Sequence, residues 1–143
     1  MLKIKNMRLS ILVNLVFLII FATSCSKKDA DTTQPDTYPK EVNITYRMSS
    51  LSGGISEITS GSYVNITGGS TTFSNAALPY IKTFKRTVNK LDDIGISFIH
   101  NNSNNNNTPF IIRLEILVNN NVVKTESYSG TSGVIGSLVY LFP

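Results

Sequence analysis

The chain has 143 residues and a formal net charge of +4, and Cys25 and His100 are its only cysteine and histidine. The length suits one domain with a core of its own, and the composition excludes an intrachain disulfide, a cysteine-cluster metal site and a two-histidine metal site. Three of the 13 Lys and Arg residues lie in the first 24 residues, so 10 basic side chains face 9 acidic ones in the remainder, a balance that argues against nucleic-acid binding.

The first 24 residues have the parts of a bacterial export signal. Lys3, Lys5 and Arg8 form a positive start, and residues 11–21 form an apolar run about half as long as the roughly 20 residues that a membrane-spanning helix needs. Small residues then precede Cys25, in a pattern that resembles a lipobox, where the thiol is lipidated and cleavage follows on its amino side. The sequence therefore predicts a signal peptide over residues 1–24 and a membrane anchor through a lipid on Cys25.

Residues 25–40 are polar, contain two prolines and show no apolar period, which predicts a flexible tether. Ser26, directly after the cysteine, resembles the sorting pattern of outer-membrane rather than inner-membrane lipoproteins. We therefore expect a protein that is lipid-anchored in the outer membrane. The sequence fits either the periplasmic or the outer side of that membrane.

From Glu41 onward the dominant period is two residues, which predicts strands. Apolar and polar residues alternate over 42–48, a hairpin about Ser60-Gly61 is predicted from residues 55–58 and 63–67, and residues 80–88 are predicted to form an edge strand protected by lysines. Further strands are predicted at 94–98, 110–118, 122–128 and 134–142. About seven strands at this spacing predict an all-β sandwich or barrel over residues 41–143.

The connecting segments show no catalytic pattern. Residues 101–107 form an asparagine tract, predicted to be a surface loop, with ligand binding as the alternative. Asp92 and Asp93 are expected to be turn residues, and His100 is expected to be a partly exposed polar residue at a strand end. No glycine-rich phosphate loop is present, so neither an enzyme nor a cofactor is indicated.

One basic cluster stands out, with Lys82, Lys85, Arg86 and Lys90 beside two aromatic residues. Lysines on an edge strand prevent pairing with other chains, so a solvated face is one interpretation. Contact with lipid phosphate or an acidic partner is the other, since cations beside aromatic rings suit a membrane interface. The candidate partner-binding residues are Tyr80, Lys82, Phe84 and Arg86.

Four segments carry a family resemblance: residues 44–47, 77–84, 114–124 and 128–133. They resemble the small transport accessory proteins of the MmpS type, particularly the lipoprotein versions of the Bacteroidetes group. The resemblance implies an immunoglobulin-like β-sandwich and a role beside an envelope transporter of the resistance-nodulation-division type. The chain departs from the family pattern in having Asn119-Asn120-Asn121 where the family usually has Asp-Gly-Lys, and Tyr80 where Trp is frequent.

Together these observations predict a non-enzymatic, lipid-anchored envelope accessory or binding protein, with a transporter as its leading partner. The alternative is a surface adhesion or ligand-capture lipoprotein that works through the loop at residues 101–107. The two hypotheses differ in the working surface, because an accessory protein uses a fixed sheet face and a capture module uses loops.

Overall fold

The computed structural model describes residues 37–101 and 108–143, which form eight β-strands. The expectations for the signal peptide, for Cys25, for residues 26–36 of the tether and for residues 102–107 of the asparagine tract lie outside the described residues, whereas Lys40, the last tether residue, begins the first strand. The strands are β1 (Lys40–Ser52), β2 (Glu57–Val64), β3 (Ser70–Ala77), β4 (Tyr80–Val88), β5 (Asp93–Asn101), β6 (Phe110–Val118), β7 (Asn121–Gly130) and β8 (Gly133–Leu141).

The eight strands form two four-stranded antiparallel sheets. Sheet A has the order β4-β1-β6-β7, and sheet B has the order β3-β2-β5-β8. The predicted all-β sandwich is confirmed, and the edge position predicted for β4 is confirmed with it. Immunoglobulin-like sandwiches share this architecture of packed antiparallel sheets without always sharing one topology.

The predicted first hairpin was wrong. β2 runs straight through Ser60 and Gly61, and the chain turns at residues 65–69, where the Asn65 amide donates to the Gly69 carbonyl at 2.7 Å. β3 was not predicted because its residues, STTFSNAA, show little apolar alternation. The inward and outward alternation of its side chains also shifts by one residue at Asn75, which has a positive φ of 49°. The strand count is therefore eight rather than about seven.

The core lies between the inner faces of the two sheets, as the period of two requires. In β1 the alternate residues Val42, Ile44, Tyr46 and Met48 are at most 3% exposed, and β6 shows the same alternation with buried aliphatic residues. The Tyr46 hydroxyl of sheet A donates a hydrogen bond across the core to the Val64 carbonyl of sheet B at 2.9 Å.

The antiparallel registers sort the connections to two ends of the sandwich. The start of β1 at Lys40 lies at the same end as the β2–β3, β4–β5 and β6–β7 turns. Asn119 and Asn120 form the last of these turns with positive φ angles of 50° and 67°, as asparagine tolerates. The predicted asparagine turn is thus confirmed.

Candidate functional site

The four candidate partner-binding residues lie on one face of β4. Tyr80 is opposite Met48 in the register with β1, Phe84 is opposite Ile44, and Arg86 is opposite Val42. These β1 partners are core residues, so the shared face is the inner one, at the open edge of the sandwich. The structure brings Tyr80, Lys82, Phe84 and Arg86 together as expected, but it gives them different surroundings.

Tyr80 and Phe84 belong to a cluster of five aromatic rings that closes the edge of the sandwich. Tyr80 stacks on Phe73 of β3 with ring centroids 4.7 Å apart, and Phe84 lies 5.9 Å from the Tyr46 ring and 6.3 Å from the Tyr63 ring. Burial among these rings raises the pKa of the Tyr80 phenol. Both side chains are therefore half-buried and help to hold the edges of the two sheets together.

The Arg86 guanidinium group is bound by two residues of the same chain. Its Nη2 atom lies 3.4 Å from Asp92 Oδ2, its Nη1 atom donates to the Asp93 carbonyl at 3.1 Å, and the side chain is only 12% exposed. Asp92 also accepts a hydrogen bond from the Asn89 amide at 2.9 Å. The pair therefore fixes the β4–β5 turn, which agrees with the expectation that Asp92 is a turn residue.

Lys82 differs from Arg86 because its ammonium group is exposed. Its Nζ atom lies 5.9 Å from the centroid of the Tyr63 ring, and within residues 37–101 and 108–143 no carboxylate forms an ion pair with it. The side chain borders an open groove of about 300 Å³. The groove is lined by Tyr63, Asn65, Ile66, Thr71, Lys82, Thr83 and Phe84.

The groove has a wall that sequence reasoning missed. Asn65, Ile66 and Thr71 come from the β2–β3 turn and from β3, which the sequence analysis had not predicted. Asn65 is held in place because its Nδ2 atom donates to Thr71 Oγ1 at 3.0 Å. Asn65, Gly68 and Gly69 are typical turn residues, and they would have predicted the hairpin turn at residues 65–69.

The predicted basic cluster is divided between two faces. Lys85 points to the outer side of β4 and pairs with Glu41 at 3.1 Å, where both side chains are more than half exposed. Lys90 is exposed on the β4–β5 turn. Lys82 is therefore the cation of the cluster that combines exposure, a neighbouring aromatic ring and a groove.

His100 is buried, and the expectation that it is partly exposed was wrong. It is 8% exposed, its ring meets Phe110 edge-on at 5.2 Å, and neither ring nitrogen has a hydrogen-bond partner among the described residues. β5 extends to Asn101, so the alternation of Ile94, Ile96 and Phe98 continues inward to His100. This two-residue period was visible in the sequence.

Two kinds of feature are absent from the described ranges, 37–101 and 108–143. No three or more His, Cys, Asp or Glu side chains lie together as metal ligands there. No helix in those ranges is long and apolar enough to span a bilayer.

The chain matches no known protein-family model, and no curated protein sequence matches it significantly. The resemblance to the MmpS-type accessory proteins therefore stays a prediction. The feature of the described residues that suits binding is the inner face of β4 with its groove.

Proposed function

We propose that this chain is a non-enzymatic outer-membrane lipoprotein, anchored through Cys25, that acts as an accessory binding partner of an envelope transporter of the resistance-nodulation-division type. The observation that carries the binding role is the exposed ammonium group of Lys82, which has no ion-pair partner among the described residues and borders the groove beside Tyr63 and Phe84. The transporter as partner rests on the family resemblance, by fold-level analogy.

The groove supports binding because its cation differs from its neighbours. Lys85 and Arg86 each have a carboxylate partner within 3.4 Å, whereas Lys82 has an aromatic ring. A partner that brings a carboxylate or phosphate to Lys82 would displace no ion pair found in residues 37–101 and 108–143, and it would form a charge-assisted hydrogen bond with the ammonium group. The fixed strand face also suits an accessory protein, which needs a rigid contact surface.

The test of this role is photo-crosslinking in cells with the full-length lipoprotein. A photoreactive residue replaces Ile66, an exposed residue of the groove, in one variant, which leaves the Lys82 charge in place, and Ile81, exposed on the outer side of β4, in the other. We expect the Ile66 variant to yield an adduct with a transporter subunit, identified by mass spectrometry, and the Ile81 variant to yield much less. Equal adducts from both positions, or none with a transporter, would contradict the proposal.

The contribution of the Lys82 charge is tested by a pair of substitutions on the same strand. Lys82→Gln and Lys85→Gln remove the same charge from opposite faces of β4, and both sites are exposed. With a photoreactive residue at Tyr80, we expect Lys82→Gln to weaken the transporter adduct and Lys85→Gln to leave it unchanged. Capture of glycans or other surface ligands instead, independent of Lys82, would favour the adhesion or capture role.

The anchor is tested separately. Cys25→Ser is expected to abolish lipidation and to release the chain from the membrane fraction of lysed cells. If the variant stays membrane-attached to the same extent as the parent, the lipobox interpretation is wrong, whatever the crosslinking shows.

A further inference from the structure

Charge is distributed very unequally between the two sheets. The strands of sheet B contain two charged residues, Glu57 in β2 and Asp93 in β5, and these lie at opposite ends of the sheet. The strands of sheet A contain ten. They are Lys40, Glu41, Arg47, Lys82, Lys85, Arg86, Arg113, Glu115, Lys124 and Glu126.

The outer surface of sheet B is therefore almost uncharged, and one side of it is apolar. We call the outer surface of all four strands the neutral face; its members include Thr72 in β3, Ser62 in β2, Ser97 and Ile99 in β5, and Ile135, Val139 and Leu141 in β8. Ile135 is 72% exposed, Leu141 54%, Val139 53% and Ile99 40%, and Ile135 lies opposite Ile99 in the β5–β8 register. Beside them, the hydroxyl groups of Ser62 and Ser97 form a hydrogen bond with each other at 2.9 Å.

We propose that the neutral face binds the neutral face of a second copy of this chain. A surface that carries neither exposed cations nor a central carboxylate gives no charge repulsion against a second copy of itself. Burying it leaves few unpaired charges. Sheet A could not pack in this way, because Arg47 and Glu115 form an ion pair at 3.2 Å on its outer side, with Arg113 exposed beside them.

The geometry of the sheet suits a symmetric pair. When a two-fold axis runs across the strands, β8 lies over β8 of the second copy in the opposite direction, and Ile135 then lies over Val139 of that copy. The same operation places Asp93 over Asn101 of the second copy, since they end the same strand, so the two carboxylates stay apart. Sheets packed face to face interdigitate such rows at a separation of about 10 Å.

The area is sufficient for a specific contact. Four strands spaced about 4.8 Å apart and eight or nine residues long cover roughly 550 Å², so two faces bury about 1,100 Å² in total. Specific interfaces begin near about 1,000 Å². The contact is thus at the small end of the range, which predicts a reversible dimer favoured by the local concentration of an anchored protein.

The experiment uses the full-length chain in intact cells and a short bismaleimide that enters the cells. Ser137 is exposed at the centre of β8 and would face its own copy across the two-fold axis, so Ser137→Cys should form an adduct of twice the chain's mass. Ile81→Cys, exposed on sheet A, is the matched control, and the parent chain reports any reaction of Cys25. We expect the dimer adduct from Ser137→Cys to exceed that from Ile81→Cys by at least about tenfold.

A second substitution then tests the apolar row. Adding Val139→Lys to Ser137→Cys buries a charge in the contact and should reduce the dimer adduct about tenfold or more, whereas adding Ile81→Lys should not change it. Equal dimer adducts from Ser137→Cys and Ile81→Cys would overturn the proposal. An adduct of another mass in place of the dimer would overturn it as well, because a different protein would then cover the face. Neither result depends on the transporter role, and the dimer rests on the proposed lipid anchor only for the local concentration of the chain.

Discussion

Sheet A and sheet B enclose one core, yet they fill it in different ways. The inner face of sheet A is packed with aliphatic side chains such as Ile44, Leu114 and Ile116, each 0% exposed. Sheet B also buries aliphatic residues such as Ile94 and Ile96, and in addition aromatic rings lie against two of its glycines. A Cβ atom at Gly136 would overlap Phe98 Cε1 and lie 2.9 Å from Tyr128 Cδ2, and one at Gly61 would overlap the Phe73 ring. Sheet A is thus stabilised mainly by aliphatic packing. Sheet B depends in addition on the missing side chains at Gly61 and Gly136, which leave room for the rings of Phe73 and Phe98.

The largest expected effect comes from placing a methyl group on sheet B. In Gly136→Ala the new Cβ meets the Phe98 ring, which is 1% exposed and has little room to move, so we expect a loss of about 1–3 kcal/mol in the free energy of unfolding. Equilibrium urea unfolding followed by circular dichroism measures it. Gly69→Ala is the control, since its Cβ would have no heavy atom closer than 3.6 Å. Equal midpoints for the two variants would show that the rings rearrange freely.

The second expected effect concerns the contact between the sheets at high pH. Tyr46 of sheet A is 0% exposed, and burial raises the pKa of its phenol well above the usual 10.0. Below about pH 10 both states keep the proton, and the stability contributed by this group is fully present. Above that pH the unfolded chain loses the proton first. Stability should then fall by up to about 1.4 kcal/mol per pH unit until the folded state also ionises.

Urea unfolding at about pH 8 and at about pH 11.5 measures this loss. In Tyr46→Phe the loss between the two pH values should be smaller, although the variant also lacks the hydrogen bond to the Val64 carbonyl and starts from a lower stability. Tyr80 and Tyr128, whose pKa values are also raised, stay in both proteins and supply the common background. An unchanged pH dependence in Tyr46→Phe would assign the alkaline loss to those residues.

The same difference between the sheets explains what the sequence could predict. β1 and β6 of sheet A alternate clearly, whereas β4 divides its apolar residues between both faces, and its two-residue period alone placed Tyr80, Lys82, Phe84 and Arg86 on one face. The bounds of β2 and β3 could not be predicted in this way, because their residues show no regular two-residue period. In the sequence, Gly61 resembles a turn residue. In the structure, the missing side chain of Gly61 leaves room for the ring of Phe73, its partner on β3, and a sequence pattern does not show this contact between two strands. The groove was therefore half predictable, because β4 supplies one wall and β3 part of the other.

The smallest expected effect is a gain in stability at a point where the two sheets meet. His100 of sheet B contacts Phe110 of sheet A, and its two buried nitrogens have no partner among the described residues. His100→Phe keeps a ring in that space and removes the unpaired polar atoms, so we expect the free energy of unfolding to rise by about 1 kcal/mol. His100→Leu, which also lacks polar atoms but loses the edge-on ring contact, should gain less. Urea unfolding near neutral pH separates the two variants. A loss of stability in both variants would contradict the expectation that the two buried nitrogens destabilise the folded state.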